Sequence, residues 1–163
     1  MSRSKHHRVV FPGSFDPMTL GHLDIATRSS ALFDEVVIGI GVSRDKTPLF
    51  ATEERIAIVR EVCSGLDNIV VKSFSGLVAD FASAEEAVAI VRGLRSTADY
   101  TYEMQMALMN RALNDRVETV FIPTSPEYSH ISSSLAKEIA SHGGDLSKLV
   151  PKTVSEKLLE RVK

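Results

Sequence analysis

The stretch Arg8-Val-Val-Phe-Pro-Gly-Ser-Phe-Asp-Pro-Met-Thr-Leu-Gly-His22 joins a short apolar run to a glycine-containing turn and then to the start of a helical pattern. The run Arg8–Phe11 does not alternate between polar and apolar residues, as expected of a strand that is covered on both faces. Helical periodicity follows from His22 to Phe33. A strand, a turn and a helix in this order predict the first half of a β-α-β unit.

The same alternation continues along the chain. Further apolar runs predict strands at Val36–Val42, Ile69–Phe74, Ala87–Val91 and Thr119–Ile122. Helices are predicted at His22–Phe33, Thr52–Ser64, Leu77–Ala84, Tyr100–Leu113, Ser133–Ser141 and Val154–Val162. Because repeated β-α-β units cross over right-handedly, we predict an α/β fold, a Rossmann-like doubly wound sheet of five parallel strands with helices on both faces. In such sheets ligands bind beyond the carboxyl ends of the strands, near a switch in strand order.

Three helix boundaries carry local signals. Thr52 followed by two glutamates predicts an N-cap with acidic residues in the first turn. His142-Gly-Gly-Asp145 predicts the end of one helix, and Pro151 predicts the opening of the next.

The composition is that of one soluble domain. The chain has 163 residues, 44% hydrophobic and 25% charged, so we expect a single domain over residues 1–163 with a disordered tail at 1–7. The formal net charge of −2 predicts no general attraction to nucleic acid or to membranes. The single cysteine, Cys63, is expected to be a buried apolar residue. With no signal region and no long apolar run, we expect a cytoplasmic protein.

Residues suited to phosphate follow the first strand. Gly13 permits close approach of the backbone to a ligand, and Ser14 adds a hydroxyl. His22 falls in the first turn of a helix, where free backbone N–H groups and the helix dipole attract anions. A histidine there can donate a hydrogen bond to a phosphate oxygen, although the alternative is a capping histidine. The segment has neither the P-loop pattern nor the dinucleotide-binding glycines.

Cationic residues follow two later strands. Lys46 comes after the second strand, where it either holds phosphate or is a solvated surface lysine. Arg92 and Arg95 follow the fourth strand, and arginines at the end of a buried strand need anions or carboxylates as partners. The nearby carboxylates are Asp80, Asp99 and Glu103.

The remaining candidates lie on the predicted helix Tyr100–Leu113 and at the start of the predicted helix Ser133–Ser141. Three serines at 132–134 open a helix, so they supply either a simple cap or a phosphate cradle. The methionines at 104, 106 and 109 form either a flexible apolar wall for a thin acyl-like ligand or part of the core or a subunit interface.

Three separated motifs resemble those of the phosphopantetheine adenylyltransferase family, in the nucleotidyltransferase superfamily. Residues 12–22 resemble Pro-Gly-Ser/Thr-Phe-Asp-Pro-x-Thr-x-Gly-His, with Thr19 where many superfamily members have a first histidine. Arg92-Gly-Leu-Arg95 resembles a second family motif, and Ile131-Ser-Ser-Ser134 resembles the superfamily's Ile-Ser-Ser-Ser/Thr. The resemblance extends from about Val10 to Val150.

The resemblance implies transfer of the adenylyl group of ATP to 4′-phosphopantetheine, giving dephospho-CoA and pyrophosphate. It implies that His22, Lys46 and Arg95 are catalytic. ATP would be bound by Ser14, Phe15, His22, Gly93, Leu94, Arg95, Glu103, Tyr128, Ser129, His130, Ile131, Ser132, Ser133 and Ser134. Phosphopantetheine would contact Ser14, Lys46, Val78 and Arg92.

By resemblance we also expect Mg²⁺ carried on the ATP phosphates rather than in a protein metal site, because the chain shows no carboxylate cage. Dephospho-CoA and CoA are expected as further ligands, and a homohexamer as the assembly. Two alternatives remain. One is an adenylyl- or cytidylyltransferase for another phosphomonoester, such as nicotinate mononucleotide or glycerol phosphate, and the other is a non-catalytic nucleotide-binding sensor.

Overall fold

The computed structural model describes residues 6–42 and 47–162. The strands are β1 (Arg8–Gly13), β2 (Glu35–Gly41), β3 (Ile69–Phe74), β4 (Ala89–Leu94) and β5 (Glu118–Pro123). The α-helices are α1 (Leu20–Leu32), α2 (Thr52–Val62), α3 (Val78–Ala84), α4 (Thr97–Leu113), α5 (Ser133–Ser141) and α6 (Lys152–Arg161), and one turn of 3₁₀ helix spans Pro126–Tyr128. Among the helices of these residues, none is both long and apolar enough to cross a bilayer.

The five strands form one sheet in the order β3-β2-β1-β4-β5, and every neighbouring pair is parallel. The chain therefore adds β2 and β3 on one side of β1 and then crosses to the other side for β4 and β5. The strand order reverses between β1 and β4, which leaves a crevice beyond their carboxyl ends. The prediction of a doubly wound sheet of five parallel strands is confirmed.

Each face of the sheet has its own apolar core, because successive side chains of a strand point to opposite faces. Val9 of β1 packs in a cluster that includes Ile25 of α1 and Val59 of α2. Its neighbour Val10 packs in a different cluster, with Phe81 of α3. A third cluster joins α5 and α6 to α2. Helices thus cover both faces, as predicted.

Strand β4 lies further toward the C terminus than the predicted Ala87–Val91. It begins at Ala89 and ends at Leu94 because its ladder with β5 continues through Arg92 and Gly93. Backbone hydrogen bonding does not depend on the polarity of the side chain, so the apolar run marked both ends of the strand wrongly. Arg92 therefore projects from the sheet itself rather than from a loop.

The predicted cap of α2 is also wrong. The N-cap residue is Ala51 rather than Thr52, and the backbone N–H of Ala51 donates to Oε2 of Glu54 at 2.7 Å. The Thr52 hydroxyl instead accepts a hydrogen bond from the Arg55 side chain at 3.1 Å. The acidic residues of the first turn are present as expected.

Other helix ends follow their local signals. Helix α5 ends at Ser141, and Gly143 then takes a φ of +69°, a left-handed conformation that glycine adopts without steric cost. Pro151 caps α6. Helix α4 begins earlier than predicted because the Ser96 hydroxyl accepts the backbone N–H of Asp99 at 3.3 Å.

Cys63 follows α2 directly and is 4% exposed. Burial raises the pKa of its thiol to about 11. The prediction of a buried, apolar cysteine is confirmed.

The close packing of side chains against Gly39 of β2 can be tested by substitution. The stacked rings of Phe74 and Phe81 lie against it, and a Cβ at this position would overlap Cε1 of Phe81. We expect Gly39→Ala to lower the free energy of unfolding by about 1–3 kcal/mol, because an overpacked core must shift. Urea denaturation measures the change. Gly65→Ala is the control, since nothing lies within 4 Å of its Cβ, and an equal loss in both variants would contradict the explanation.

Candidate active site

A cleft opens at the carboxyl ends of β1 and β4, where the strand order reverses. Of the residues expected at a site, the cleft is lined by Ser14, His22, Arg92, Gly93, Arg95, Glu103, Ile131, Ser132 and Ser133. They come from the turn after β1, from the end of β4 with α4, and from the start of α5. The topology therefore brings all three sequence motifs to one cavity.

The turn after β1 is shaped by Phe15, which belongs to the apolar core. Phe15 is 1% exposed and has a φ of +46°, a conformation that is costly for a residue other than glycine. The centroid of its ring lies 5.4 Å from that of Phe11 and 5.0 Å from that of His22. A Cβ on Gly13 would lie 2.9 Å from the same ring. Gly13 thus makes room for Phe15, which supports His22 from the core.

His22 lies in the first turn of α1, and its ring nitrogen Nδ1 is an acceptor. The backbone N–H of Thr19 donates to Nδ1 at 3.0 Å, and the Thr19 hydroxyl accepts the His22 backbone N–H at 3.3 Å. The capping role that was one reading of His22 is therefore present. Because Nδ1 accepts, the neutral ring carries its proton on Nε2, which makes Nε2–H the donor for a ligand in the cleft.

The electrostatic surroundings keep His22 neutral. Burial, followed by the positive charges of Arg95 and Arg92, lowers the pKa of His22 to about 4. At neutral pH the ring is consequently an uncharged hydrogen-bond donor. It does not add a further cation to a cleft that already contains two arginines.

Arg92 is held by a bidentate ion pair. Its Nε and Nη2 donate to the two carboxylate oxygens of Glu103 at 2.7 and 2.6 Å, and its Nη1 donates to the carbonyl oxygen of Pro12 at 2.7 Å. Glu103 is 9% exposed, and a carboxylate so buried requires a charged partner. These contacts use three of the five guanidinium N–H groups, and Arg92 also lines the cleft.

Arg95 joins the end of β4 to the segment before α5. Its Nε and Nη2 donate to the Asp99 carboxylate at 2.9 and 3.1 Å. Its Nη1 donates to the carbonyl oxygen of Ile131 at 3.0 Å. Both arginines therefore form ion pairs with carboxylates that the sequence analysis named, and both also line the cleft.

The start of α5 gives the cleft a second helix N terminus. The Ser132 hydroxyl caps this helix by accepting the backbone N–H of Leu135 at 3.1 Å. The Ser133 hydroxyl donates to the carbonyl oxygen of Pro17 at 2.8 Å, which ties the helix to the turn after β1. Unpaired N–H groups and the helix dipole favour an anion here.

A second, narrower cavity lies on the other side of the Arg92–Glu103 pair. Pro12 and this ion pair line both cavities, so they form a shared wall. The other lining residues are Val78, Tyr102, Met106, Ala107, Asn110 and Thr119. Val78, expected to contact phosphopantetheine, and one of the three methionines therefore lie in the same cavity.

Some predicted ATP contacts do not line the cleft. They are Phe15, Leu94, Tyr128, Ser129, His130 and Ser134. Tyr128 packs against the cluster of α5 and α6, and Ser134 lines a neighbouring cavity. Their contacts with ATP stay a prediction. Lys46 lies outside the described residues.

Thr19 and Thr124 line the cleft although the sequence analysis assigned neither of them a contact with a ligand, and Asp99 was expected only as a possible partner of the arginines. Thr19 immediately precedes α1, which is the position that predicts an N-cap. Asp99 follows Arg95 by four residues, the spacing of a helical ion pair. Thr124 directly follows β5, and the carboxyl end of a parallel strand is where ligands are expected.

The described residues contain no group of three or more His, Cys, Asp or Glu side chains that could hold a metal ion. Both carboxylates of the cleft, Asp99 and Glu103, are bonded to arginines.

Comparison with known sequences identifies close relatives. Residues 10–139 match the family described as cytidylyltransferase-like. A phosphopantetheine adenylyltransferase of Streptomyces coelicolor is 52% identical and covers 96% of this chain and 98% of its own. Phosphopantetheine adenylyltransferases of Moorella thermoacetica and Caldanaerobacter subterraneus are 51% and 47% identical, over 93% and 94% of this chain and 95% and 96% of their own.

Two solved structures share the fold. A Vibrio parahaemolyticus protein, provisionally assigned as a nicotinate-nucleotide adenylyltransferase, superposes with a TM-score of 0.71 at 20% identity, covering 94% of this chain and 92% of its own. A lipopolysaccharide core biosynthesis protein of Thermoplasma volcanium has a TM-score of 0.55 at 23% identity, with coverage of 73% and 98%. At these identities the likeness concerns the fold alone.

The lowered pKa of His22 predicts how stability depends on pH. In the unfolded chain a histidine has a pKa of about 6.5, so between that pH and about 4 the unfolded state binds more protons than the folded one. His22 therefore makes the free energy of unfolding decrease as the pH falls through this range. His22→Asn should flatten this dependence in urea denaturation, with His142→Asn, a substitution of an exposed histidine, as the matched control. Identical slopes in the wild type and His22→Asn would contradict the lowered pKa.

Proposed function

Because the chain belongs to the phosphopantetheine adenylyltransferase family, we propose that it transfers the adenylyl group of ATP to 4′-phosphopantetheine. The products are dephospho-CoA and pyrophosphate, which is a step of coenzyme A synthesis. The observation that carries the proposal is the single cleft lined by Ser14, His22, Arg95 and the start of α5. This set of anion-binding donors suits a reaction between two phosphate-containing substrates.

In this reaction an oxygen of the phosphopantetheine phosphate attacks the α-phosphorus of ATP in line. The bond from that phosphorus to the bridging oxygen breaks, and pyrophosphate leaves with the electron pair. A phosphomonoester is already mostly dianionic at neutral pH, so no side chain has to remove a proton from the nucleophile. A neutral His22 is therefore sufficient, because its Nε2–H can stabilise charge on the transferring group without acting as a base.

We assign the other residues according to the substrate group that each would contact, either a phosphate or the pantetheine arm. Ser14 and Lys46 would bind the attacking phosphate, and Arg92 would face it from the shared wall. Arg95 and the N terminus of α5 would hold the β- and γ-phosphates of ATP. Arg95 is already fixed near the start of α5 by its ion pair with Asp99 and its hydrogen bond to the Ile131 carbonyl oxygen. The narrower cavity beside Val78 would take the pantetheine arm.

Mg²⁺ would accompany ATP, bound through the phosphate oxygens, and would neutralise part of their charge. This fits a cleft whose two carboxylates are already paired with arginines. Dephospho-CoA and CoA would occupy the same site as product and as a product-like ligand. We place the reaction in the cytoplasm, where ATP is available and a free thiol such as Cys63 persists.

Pyrophosphate release distinguishes this function from its rivals. With ATP, Mg²⁺ and 4′-phosphopantetheine, we expect release of pyrophosphate matched mole for mole by dephospho-CoA. Nicotinate mononucleotide and glycerol phosphate, tested with ATP and with CTP, should give far lower rates. Faster turnover with one of these acceptors would assign another transferase activity. ATP binding without any turnover would identify a nucleotide sensor.

His22→Ala tests the proposed donor. Loss of one oriented donor to a transition-state oxyanion costs roughly 3–4 kcal/mol, so kcat should fall by about 10²–10³-fold. The dissociation constant of ATP, measured by calorimetry, should change little because Arg95 and α5 remain. His142→Ala, a change at an exposed histidine, should leave both values unaltered. Normal turnover of His22→Ala would remove His22 from the mechanism.

Assembly into a homohexamer is a further part of the proposal. Helix α4 carries an exposed apolar stripe with the spacing of one helix face, formed by Tyr102, Met106, Met109 and Leu113. An apolar stripe of this kind on a soluble protein is typical of an interface.

Light scattering after gel filtration should give six times the 17.8 kDa chain mass. Met109→Glu should yield smaller particles because a charge cannot be buried unpaired at an interface. Leu32→Glu alters an equally exposed leucine on α1 and should leave the assembly intact. A monomeric wild type, or a hexameric Met109→Glu, would contradict the assigned interface.

A further inference from the structure

Arg55 is a buried cation for which the proposed chemistry gives no role. It lies near the start of α2 and is 3% exposed. It shares the buried face of that helix with Ile58 and Val59. Burying a charged side chain costs free energy unless it is hydrogen-bonded, so this position has a specific reason to be arginine.

The Arg55 guanidinium bridges three chain segments through carbonyl oxygens. Nη1 donates to Ser14 at 2.7 Å and to Gly41 at 3.1 Å, and Nε donates to Phe50 at 3.1 Å. Ser14 belongs to the turn after β1, Gly41 ends β2, and Phe50 precedes α2. One side chain therefore fixes the turn that lines the cleft against the neighbouring strand and the next helix.

Asp16 provides a second link between the turn after β1 and the segment that precedes α2. Its carboxylate is buried and accepts the backbone N–H groups of Leu49 and Phe50, each at 2.9 Å. It also pairs with Nζ of Lys137 on α5 at 3.2 Å. The turn after β1 is thus anchored on both sides of Phe15, by Arg55 at Ser14 and by Asp16.

The shape of the guanidinium explains why arginine occupies position 55. Its N–H groups point in fixed, divergent directions from a plane, so one side chain can reach several carbonyl groups at once. A lysine has one nitrogen and cannot reach all three. Arg55 does not line the cleft, although it lines an adjoining cavity together with Ser14 and Ser133. Its guanidinium already donates to three carbonyl oxygens and to the Thr52 hydroxyl, so we expect it to act on the reaction through the turn that it holds.

We propose that Arg55 is a positioning residue for the adenylyl transfer. It holds the Ser14 backbone, and with it the phosphate-binding turn, in the place that the attacking phosphate requires. The inference rests on the proposed function, in which Ser14 binds the phosphate of 4′-phosphopantetheine. A displacement of about 1 Å in a group that orients a reactant can lower the rate by about 100-fold.

The test compares Arg55→Met and Arg55→Lys with the wild type in steady-state kinetics, with the folded fraction of each variant measured by circular dichroism. Arg60→Met is the matched control, since Arg60 lies on the same helix and donates to the Val71 carbonyl at 3.1 Å, away from the cleft. Wild-type turnover of ATP with 4′-phosphopantetheine is established first. Its absence would refute the proposed function, independently of Arg55.

With wild-type turnover in place, Arg55→Met should lower kcat/KM for 4′-phosphopantetheine by about 100-fold per folded molecule. The KM for ATP should stay within about twofold, because Arg95 and α5 are unaltered. Arg55→Lys should lose less, on the order of tenfold, since it keeps one of the donor contacts. Arg60→Met should match the wild type in both parameters.

Three results would overturn the inference. The first is wild-type kcat/KM for 4′-phosphopantetheine in Arg55→Met or, where that variant does not fold, in Arg55→Lys. The second is an equal loss for both substrates, which indicates general damage to the site. The third is failure of both variants to fold, which would make Arg55 a requirement of folding rather than a positioning residue.

Discussion

Concentrated positive charge at the end of β4 is the constraint around which the cleft is built. A site for two polyanions needs cations close together, yet in the ligand-free protein those cations repel one another. Carboxylates reduce this repulsion. Glu103 accepts two hydrogen bonds from the Arg92 guanidinium, and Asp99 accepts two from the Arg95 guanidinium. The same field, added to burial, keeps His22 uncharged. The cleft can therefore attract phosphate through its two arginines while the ring of His22 stays neutral.

The sheet topology determines where the cleft lies, and the side chains that follow the strands determine which groups line it. Because β1 and β4 are neighbours but their following helices lie on opposite faces, their carboxyl ends diverge and leave room for ligands. Proteins only 20–23% identical to this chain share the sheet. The fold thus carries little information about the acceptor. Under the proposed function, the choice of acceptor would depend on the cavity beside Val78 and on the wall that the Arg92–Glu103 pair forms between the two cavities.

A site residue could be predicted from the sequence when the residues that define its role lie close to it along the chain. His22, Arg92 and Ser133 were predictable because each belongs to a short motif at the end of a strand or at the start of a helix. Arg55 was not, since its partners Ser14 and Gly41 are 41 and 14 residues away. A signal was nevertheless present: an arginine stands three residues before Ile58 on an apolar helix face, where a charge requires an explanation.

The strand and cap errors have a related cause. Side-chain polarity marks which faces of an element are buried, whereas its ends depend on hydrogen bonds to distant partners. The β4 ladder continues past the apolar run because β5 lies alongside it. Ala51 is the cap of α2, with its backbone N–H bonded to Glu54, while the Thr52 hydroxyl accepts a hydrogen bond from Arg55.

Burial of Cys63 has a practical consequence for spectroscopy. With a thiol pKa of about 11, only about one molecule in ten thousand carries the reactive thiolate at pH 7. The chain has no other cysteine, so we expect the unmodified protein to react only slowly with maleimides and methanethiosulfonates. A pair of cysteines introduced on the surface can accept fluorophores or spin labels while Cys63 is left in place. Distances within the protein can then be followed in solution during turnover without first disturbing its core.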